Sequence, residues 1–344
     1  MNTYHYTGGG ANRSITEVEQ LNKKYEVFDI AYIHKIFKDV LGLVVKEIHK
    51  PINTGLPHVT YIVRFDNHKD LVFRANLGTD KPEIQLLKEK VIADLALKHD
   101  IPSNKIIYVD ISRKEYPFDF QIQEKFEGLD AEKEFNGTKD DYDTYSFDIG
   151  RIIAKMGDIT FAGYGHFDDS LLLQNKLKGE SASFYDYITL ELDMQIKTIV
   201  SNKFISLQTG DAILKIFESH KQLINSKNSN LVHYDLADHN LRYDPLTYKV
   251  VAIYDWEASV CGDSCLDLAS SPTWKTLYPR VDKLVEGYLS LKQKPQNLEE
   301  KLNIYYLRTI IWKVVHNIKF NLVNPERLKR LQTALDPYKL RMSV

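Results

Sequence analysis

From Asp29 to Val40 the apolar residues Ile30, Ile33, Ile36, Phe37 and Val40 recur at three- and four-residue intervals, the spacing of one helix face. Three runs rich in Val, Ile and Phe follow: Val44–Ile52, Val59–Phe65 and Leu71–Ala75. Turn residues separate them at Asn53–Gly55 and Asp66–His68, which predicts an antiparallel meander. Pro82 stands where a first helical turn tolerates proline, and Ile84, Leu87, Val91 and Leu95 form one stripe of a helix reaching about His99. Ile106–Val109 and Phe118–Gln123 read as two more strands. This order predicts an α+β lobe built on an antiparallel sheet, not alternating parallel units.

Past Gly128 the pattern changes. Leu129–Thr144 is polar and acidic, and helical spacing appears at Phe147–Met156, Ser183–Val200, Thr209–Ile224 and through most of the chain after Thr276. The division predicts a β-rich lobe over residues 1–125 and a larger helical lobe over 126–344, with a cleft between them as the preferred place for a ligand. Within the helical part, Leu231–Ser270 is an island of β signal. Asn240–Tyr243 and Lys249–Tyr254 flank a turn at Asp244-Pro245-Leu246-Thr247. Asn240 lies seven residues before Thr247 and Asp255 eight after it, so a hairpin is expected to bring them together at its open end. Asp235 comes one short loop earlier.

Composition narrows the classes. With 43% hydrophobic residues the chain is not disordered, and 45 Lys+Arg against 47 Asp+Glu give a net charge of -2. No overall field recruits nucleic acid or an anionic membrane, and neither partner is expected. Two cysteines, Cys261 and Cys265, are too few for a disulfide framework or a complete zinc site, which fits reduced thiols. The opening MNTYHYTGGGANRS has no apolar core of a signal peptide, and no run reaches the roughly 18 apolar residues of a membrane span, so a cytoplasmic protein is expected.

The chemistry concentrates on Asp235, Asn240 and Asp255. Two carboxylates and an amide are hard oxygen donors suited to Mg²⁺ shared with substrate phosphates, and no thiolate or histidine cluster points to zinc or copper. Phosphoryl transfer needs such parts, because its catalysis is mostly positioning and charge neutralisation.

HYDLADHN (His233–Asn240) follows H-x-D-x-x-x-x-N, and YDWE and GDSCLDLA come after it. Together these words resemble the aminoglycoside phosphotransferase family of small-molecule kinases, within the protein-kinase-like superfamily. Its members typically read HGDLxxxN, IDWE and GDPxxDLA. Phe161–Phe167, FAGYGHF, is similar to a segment of hygromycin phosphotransferases. The likeness is dense over these 40 residues, and the lobe order agrees over about residues 40–330.

The resemblance implies a bilobal kinase-like fold that uses ATP or GTP with Mg²⁺. Asp235 would be the catalytic base or hydroxyl-orienting group, and Asn240 and Asp255 would hold the metal. His233 would pack beneath the loop, and Asp263 and Asp267 would tie the loop to a following helix. Arg74, where protein kinases place Lys, would meet the nucleotide phosphates, with Glu89 as its partner and Glu83 as the competitor. Backbone groups of Glu124 and Phe126 would hold the adenine edge, and the turn around Gly55 would lie over the phosphates. Tyr234 replaces the usual glycine of HGD, which would narrow the loop's approach to substrate.

For the acceptor, acidic residues outnumber basic ones about two to one between Asp130 and Asp193, among them Asp140, Asp141, Asp143, Asp168, Asp169, Glu191 and Asp193. Glu257 would point near the acceptor site. With the resemblance, these carboxylates favour an aminoglycoside or related amino-sugar. Kinases of choline, sugars or homoserine, and a non-catalytic nucleotide-binding regulator, are the alternatives. The C-terminal region is basic at Arg327, Lys329, Arg330, Lys339 and Arg341, which suits a solvated surface or an anionic partner. The words D-F-G and A-P-E are missing, which disfavours a protein kinase.

Overall fold

The computed structural model describes residues 23–51, 58–77 and 84–343. The chain divides into two compact units, Met1–Gly128 with Val251–Glu257, and Leu129–Val250 with Ala258–Val344.

The first unit is built on a five-stranded antiparallel sheet, β1 (Glu47–His49), β2 (His58–Arg64), β3 (Leu71–Asn76), β4 (Ile106–Asp110) and β5 (Asp119–Glu124), in the order β1-β2-β3-β5-β4. The predicted first strand shrinks to Glu47–His49, while the second and third are found almost as expected. Because strand side chains alternate, Phe73 and Ala75 on β3 and Phe120 and Ile122 on β5 share one face. They form a core with Ile33, Ile36 and Phe37 of α1 (Ala31–Leu41), each fully buried. Burying one such side chain contributes about 2–3 kcal/mol. The alternate residues, Arg74 on β3 and Gln121 opposite it on β5, therefore share the other face, and α2 (Gln85–Lys98) supplies Glu89 to them.

In the second unit, α3 (Lys139–Met156) starts well before the predicted Phe147. Thr138 caps it, its hydroxyl accepting from Asp141 N–H while the Asp141 carboxylate accepts from Thr138 N–H. The acidic run that reads as a loop is thus a helix start. Helix α3 lies against α7 (Val281–Leu289) at glycine contacts: a Cβ on Gly287 would sit 1.9 Å from the carbonyl oxygen of Phe147, and one on Gly150 2.0 Å from that of Leu284. The expected helix Ser183–Val200 is broken in two, Phe184–Ile188 and α4 (Leu192–Ser201), at Glu191, which takes a left-handed φ of 60°. Helix α5 (Leu207–Ser219) follows.

Short strands β6 (Leu129–Asp130), β7 (Tyr164–Phe167), β8 (Gly179–Ser181), β9 (Asn230–Val232), β10 (Leu241–Tyr243) and β12 (Val260–Gly262) belong to this unit, with β11 (Val250–Ile253) starting in it. The order β8-β7-β12-β9 makes one antiparallel sheet, and β10 pairs with β6. Helix α6 (Cys265–Ser270) follows β12, and α8 (Leu298–Lys319) and α9 (Pro325–Leu335) complete the chain. Cys261 and Cys265 are buried free thiols. Among the described residues no helix is long and apolar enough to cross a membrane.

Candidate active site

In the first unit, Glu89 is the centre of a buried polar network. It is 1% exposed, and Nη1 of Arg74 lies 2.9 Å from its Oε1 and 2.7 Å from its Oε2. Oε2 also accepts from Gln121 Nε2 at 3.0 Å, and Oε1 from Asn104 Nδ2 at 3.3 Å and from the backbone N–H of Asp255 at 3.2 Å. A buried carboxylate is tolerated when it is paired and hydrogen-bonded on both oxygens, and here it is. Although burial works against the charged guanidinium, the fields of Glu89, Asp255 and Glu257 raise the Arg74 pKa further. The competitor Glu83 and the turn residue Gly55 lie outside the described residues.

Asp255 has a left-handed φ of 66°, just before the 3₁₀ turn Trp256–Ala258. Trp256 donates its indole N–H to Ser103 at 2.8 Å, and Lys88 Nζ donates to the Glu257 carbonyl at 2.7 Å. The Glu257 carboxylate lies 3.5 Å from His58 Nε2. Glu257 therefore stands in the first unit beside β2, with its field on Arg74. At the expected nucleotide hinge, Glu124 N–H donates to Lys105 O at 2.9 Å, and the Phe126 ring stacks on Tyr254 with centroids 4.6 Å apart.

In the second unit, the loop from β9 to β10 holds His233, Asp235 and Asn240. The Asp267 carboxylate on α6 accepts the backbone N–H of His233 at 2.8 Å and of Tyr234 at 2.7 Å, so α6 fixes the loop from beneath. Burial nevertheless pushes the Asp267 carboxyl up to about 7. Tyr234 has a φ of 66°, a region that costs a non-glycine residue about 1–2 kcal/mol. The glycine of the family's HGD word is thus explained by backbone geometry, and this chain carries the strain on a tyrosine. His233 is fully buried, and its Nδ1 accepts from Asp235 N–H at 3.3 Å.

Asn240 Nδ2 donates to the Asp235 carbonyl at 2.9 Å and to Asp235 Oδ2 at 3.0 Å. Two acceptors on the nitrogen fix the amide's orientation and turn its Oδ1 away from Asp235. Asp235 Oδ1 is enclosed and accepts no hydrogen bond among the described residues. Burial raises the Asp235 carboxyl, but His239, whose Nε2 lies 3.9 Å from Oδ2, together with Lys313 and His233 outweighs it and holds the group below the ordinary carboxylate range.

Four anchors escape a reading of the sequence. Asp238, in the middle of the loop, accepts from Tyr142 OH at 2.8 Å, Tyr145 OH at 3.1 Å and Arg280 Nη2 at 2.6 Å. Asn104 and Gln121 steady Glu89, and Lys313 lies close enough to Asp235 for their charges to interact. Of these only Lys313, in the apolar run Ile310–Val315, is a polar residue where the helical period calls for a hydrophobe. Asp263 accepts from Lys301 Nζ at 2.5 Å, Tyr305 OH at 3.0 Å and Cys265 N–H at 3.0 Å, joining the start of α6 to α8. Several acids of the 130–193 region serve their own helices: Asp141 and Asp168 as caps, Asp143 and Asp193 as partners of Lys139 and Lys197. A cavity of about 240 Å³ between α6, α8 and α9, lined by Leu268, Pro272 and Tyr306 among others, includes none of the predicted site residues. Among the described residues no group of three or more His, Cys, Asp or Glu side chains is arranged around a metal position.

The family model for the phosphotransferase enzyme family matches residues 49–300. The chain belongs to this family. It is a small-molecule kinase, a phosphotransferase with an alcohol as acceptor. Among solved structures, this phosphotransferase is similar to a thermostable mutant of the aminoglycoside phosphotransferase APH(4)-Ia in a ternary complex with AMP-PNP and hygromycin B, at 12% identity and a TM-score of 0.64, covering 88% of this chain and 97% of that one. A protein assigned as a fructosamine-3-kinase from Thermobifida fusca matches at 13% identity and a TM-score of 0.62, covering 90% and 100% of the two chains. The streptomycin–ATP–APH(2")-IIa complex matches at 13% identity and a TM-score of 0.57, covering 90% and 97%. At these identities the likeness establishes the kinase-like fold. None of the curated protein sequences matches the chain.

Proposed function

We propose that this phosphotransferase moves the γ-phosphoryl of ATP, with Mg²⁺, to the hydroxyl of a small molecule, and that Asp235 receives or orients that hydroxyl. The observation that carries the reading is the Asp235 carboxylate itself. One oxygen is held by Asn240 and the other accepts from no donor among the described residues, while the side chain as a whole is partly exposed, so the carboxylate keeps acceptor capacity that a substrate O–H would use. In the transfer the acceptor oxygen bonds to the γ-phosphorus, the bond from that phosphorus to the β–γ bridging oxygen breaks, ADP leaves, and the hydroxyl proton passes to Asp235.

Asn240 keeps its amide oxygen free of Asp235, and with the Asp255 carboxylate it would supply the hard oxygen donors that Mg²⁺ shares with phosphates. Bound there, the ion would neutralise phosphate charge. Arg74, fixed by Glu89 through one terminal nitrogen, would offer its remaining donors to the nucleotide phosphates. Glu124 and Phe126 would hold the adenine edge through backbone groups, and the turn at Gly55 would cover the phosphates. His233, Asp263 and Asp267 would keep the loop in place. The buried free thiols agree with a cytoplasmic setting.

The ligands named for the APH(4)-Ia and APH(2")-IIa complexes, hygromycin B and streptomycin, support an amino-sugar acceptor for Asp235.

ADP release with Mg-ATP and a panel of small alcohols tests the reading. Acceptor-dependent turnover that Asp235→Asn lowers by about 10²–10⁴-fold supports it. Mg-ATP binding without turnover on any acceptor would leave a nucleotide-binding regulator.

A further inference from the structure

On the β9–β10 loop, between Asp235 and Asn240, one member of a buried ion pair is inserted. Asp238 is 3% exposed and its partner Arg280 2%. Arg280 Nη2 donates to the same Asp238 Oδ1 that accepts from Tyr145 OH, while Tyr142 OH takes Oδ2. All three donors belong to one frame. Tyr142 and Tyr145 lie on α3, and Arg280 immediately precedes α7, its carbonyl accepting the Leu284 N–H at 2.9 Å. The two helices are locked together by the contacts at Gly150 and Gly287. Burial raises both tyrosine hydroxyls, so they stay protonated and act as donors. Burial works against the Arg280 charge, yet Asp238 with the two tyrosines raises its pKa further.

As a stabilising contact the pair is unfavourable. Nε and Nη1 of Arg280 are enclosed with no acceptor among the described residues, and a buried ion pair is commonly no more stable than apolar side chains of similar volume. What it supplies is geometry. Asp238 opens the 3₁₀ turn Asp238–Asn240, in which Asn240 N–H donates to Ala237 O at 2.9 Å. A carboxylate held by donors from two locked helices fixes that turn. The turn in turn fixes the Asn240 amide, which donates to both the Asp235 carbonyl and Asp235 Oδ2. Of the three donors Arg280 carries the charge, and a hydrogen bond between two ions is about twice as strong as one between neutral groups.

We propose that Arg280 is a positioning residue for phosphoryl transfer: through Asp238 it sets where Asn240 and Asp235 stand. The kinetic arm of the test rests on the phosphotransfer reading; the exchange arm does not.

Three variants of the full chain test it: Arg280→Met, Arg280→Lys and the double variant Asp238→Asn/Arg280→Met, whose asparagine oxygen still serves the tyrosine hydroxyls. Urea unfolding is expected to place the Arg280→Met midpoint below wild type, because Asp238 loses its counter-charge, and the double variant back near wild type, because no buried charge is left unpaired. ADP release is then followed with Mg-ATP and the best acceptor among hygromycin B, streptomycin, glucose, choline and homoserine. The double variant is expected to keep kcat about tenfold to a hundredfold below wild type, with KM for the acceptor within about threefold, and Arg280→Lys to recover part of the loss. Recovery of kcat together with the midpoint in the double variant would show that the pair only holds the fold, and would overturn the proposal.

Amide hydrogen exchange of the Asn230–Tyr243 peptide, read by mass spectrometry, follows the order of the loop without turnover. It is expected to quicken in the double variant while peptides from α3 and α7 exchange as in wild type. Exchange of the loop peptide as slow as in wild type would equally overturn the proposal. If no acceptor releases ADP above the Asp235→Asn background, the kinase reading fails, and the exchange of this peptide alone decides whether Arg280 positions the loop.

Discussion

Glu89 accepts the backbone N–H of Asp255 at 3.2 Å while pairing with Arg74 at 2.7 Å. One carboxylate on α2 thus fixes both the cation proposed to meet the nucleotide phosphates and the backbone of a proposed magnesium ligand. Glu89→Gln would turn an amide N–H₂ toward the donors of Asn104, Gln121 or Asp255 and leave Arg74, 12% exposed, without a counter-charge. Breaking a buried pair by removing one partner costs about 3–5 kcal/mol. Urea unfolding is expected to show a loss of that size, together with a raised KM for ATP; an unchanged midpoint would contradict the network.

Helices α3 and α7 approach so closely that the obstacles to a methyl at Gly287 or Gly150 are backbone carbonyl oxygens, which no rotamer change can move. Gly287→Ala is therefore expected to destabilise the protein by about 3 kcal/mol through overpacking, far more than a typical helix alanine substitution, which helix propensity would favour. Thermal melts of Gly287→Ala beside a surface Gly→Ala control measure the difference.

His316 on α8 is neutral in the folded protein. Burial lowers its imidazole to about 4, helped by the charges of Lys319, Arg327 and Lys313. Its rings of contact are Trp312 and Phe320, at 5.5 and 4.7 Å between centroids. Between pH 4 and the ordinary histidine value near 6.5 the unfolded chain takes up a proton that the folded one refuses. Stability from this residue is then complete above pH 6.5 and falls with pH across that window, by up to about 1.4 kcal/mol per unit. His316→Phe is expected to flatten that part of the stability curve and to leave the region above pH 7 alone. A parallel curve for the variant would show that the imidazole does not titrate in this way.

Elements with a long, clean period were legible from the sequence. Helix α1, strands β2 and β3 and helix α2 were each readable from their apolar spacing, and Glu89 stood out as the stronger partner for Arg74. Strands of two to four residues such as β7, β8, β9 and β12 are too short to show alternation, so their sheet was invisible. The start of α3 was hidden because Lys139-Asp140-Asp141 looks like a solvated loop unless Thr138 is recognised as a cap. Asp235 and Asn240 were named from their motif, whereas Lys313, which lies close enough to Asp235 for the two to interact, comes from a C-terminal region that reads as an ordinary basic surface.

The seven residues Val251–Glu257 complete the first unit although they follow more than a hundred residues of the second. The polypeptide therefore leaves the first unit at Gly128, comes back for one short visit, and departs again. Neither unit is a continuous stretch of sequence. A fragment ending at Gly128 would lack the Asp255 N–H that Glu89 accepts and the Trp256 indole that reaches Ser103, so ribosomal synthesis of the first 128 residues cannot finish that unit before the β10–β11 region emerges. Any split or permuted version of this kinase has to carry that borrowed segment with its N-terminal half.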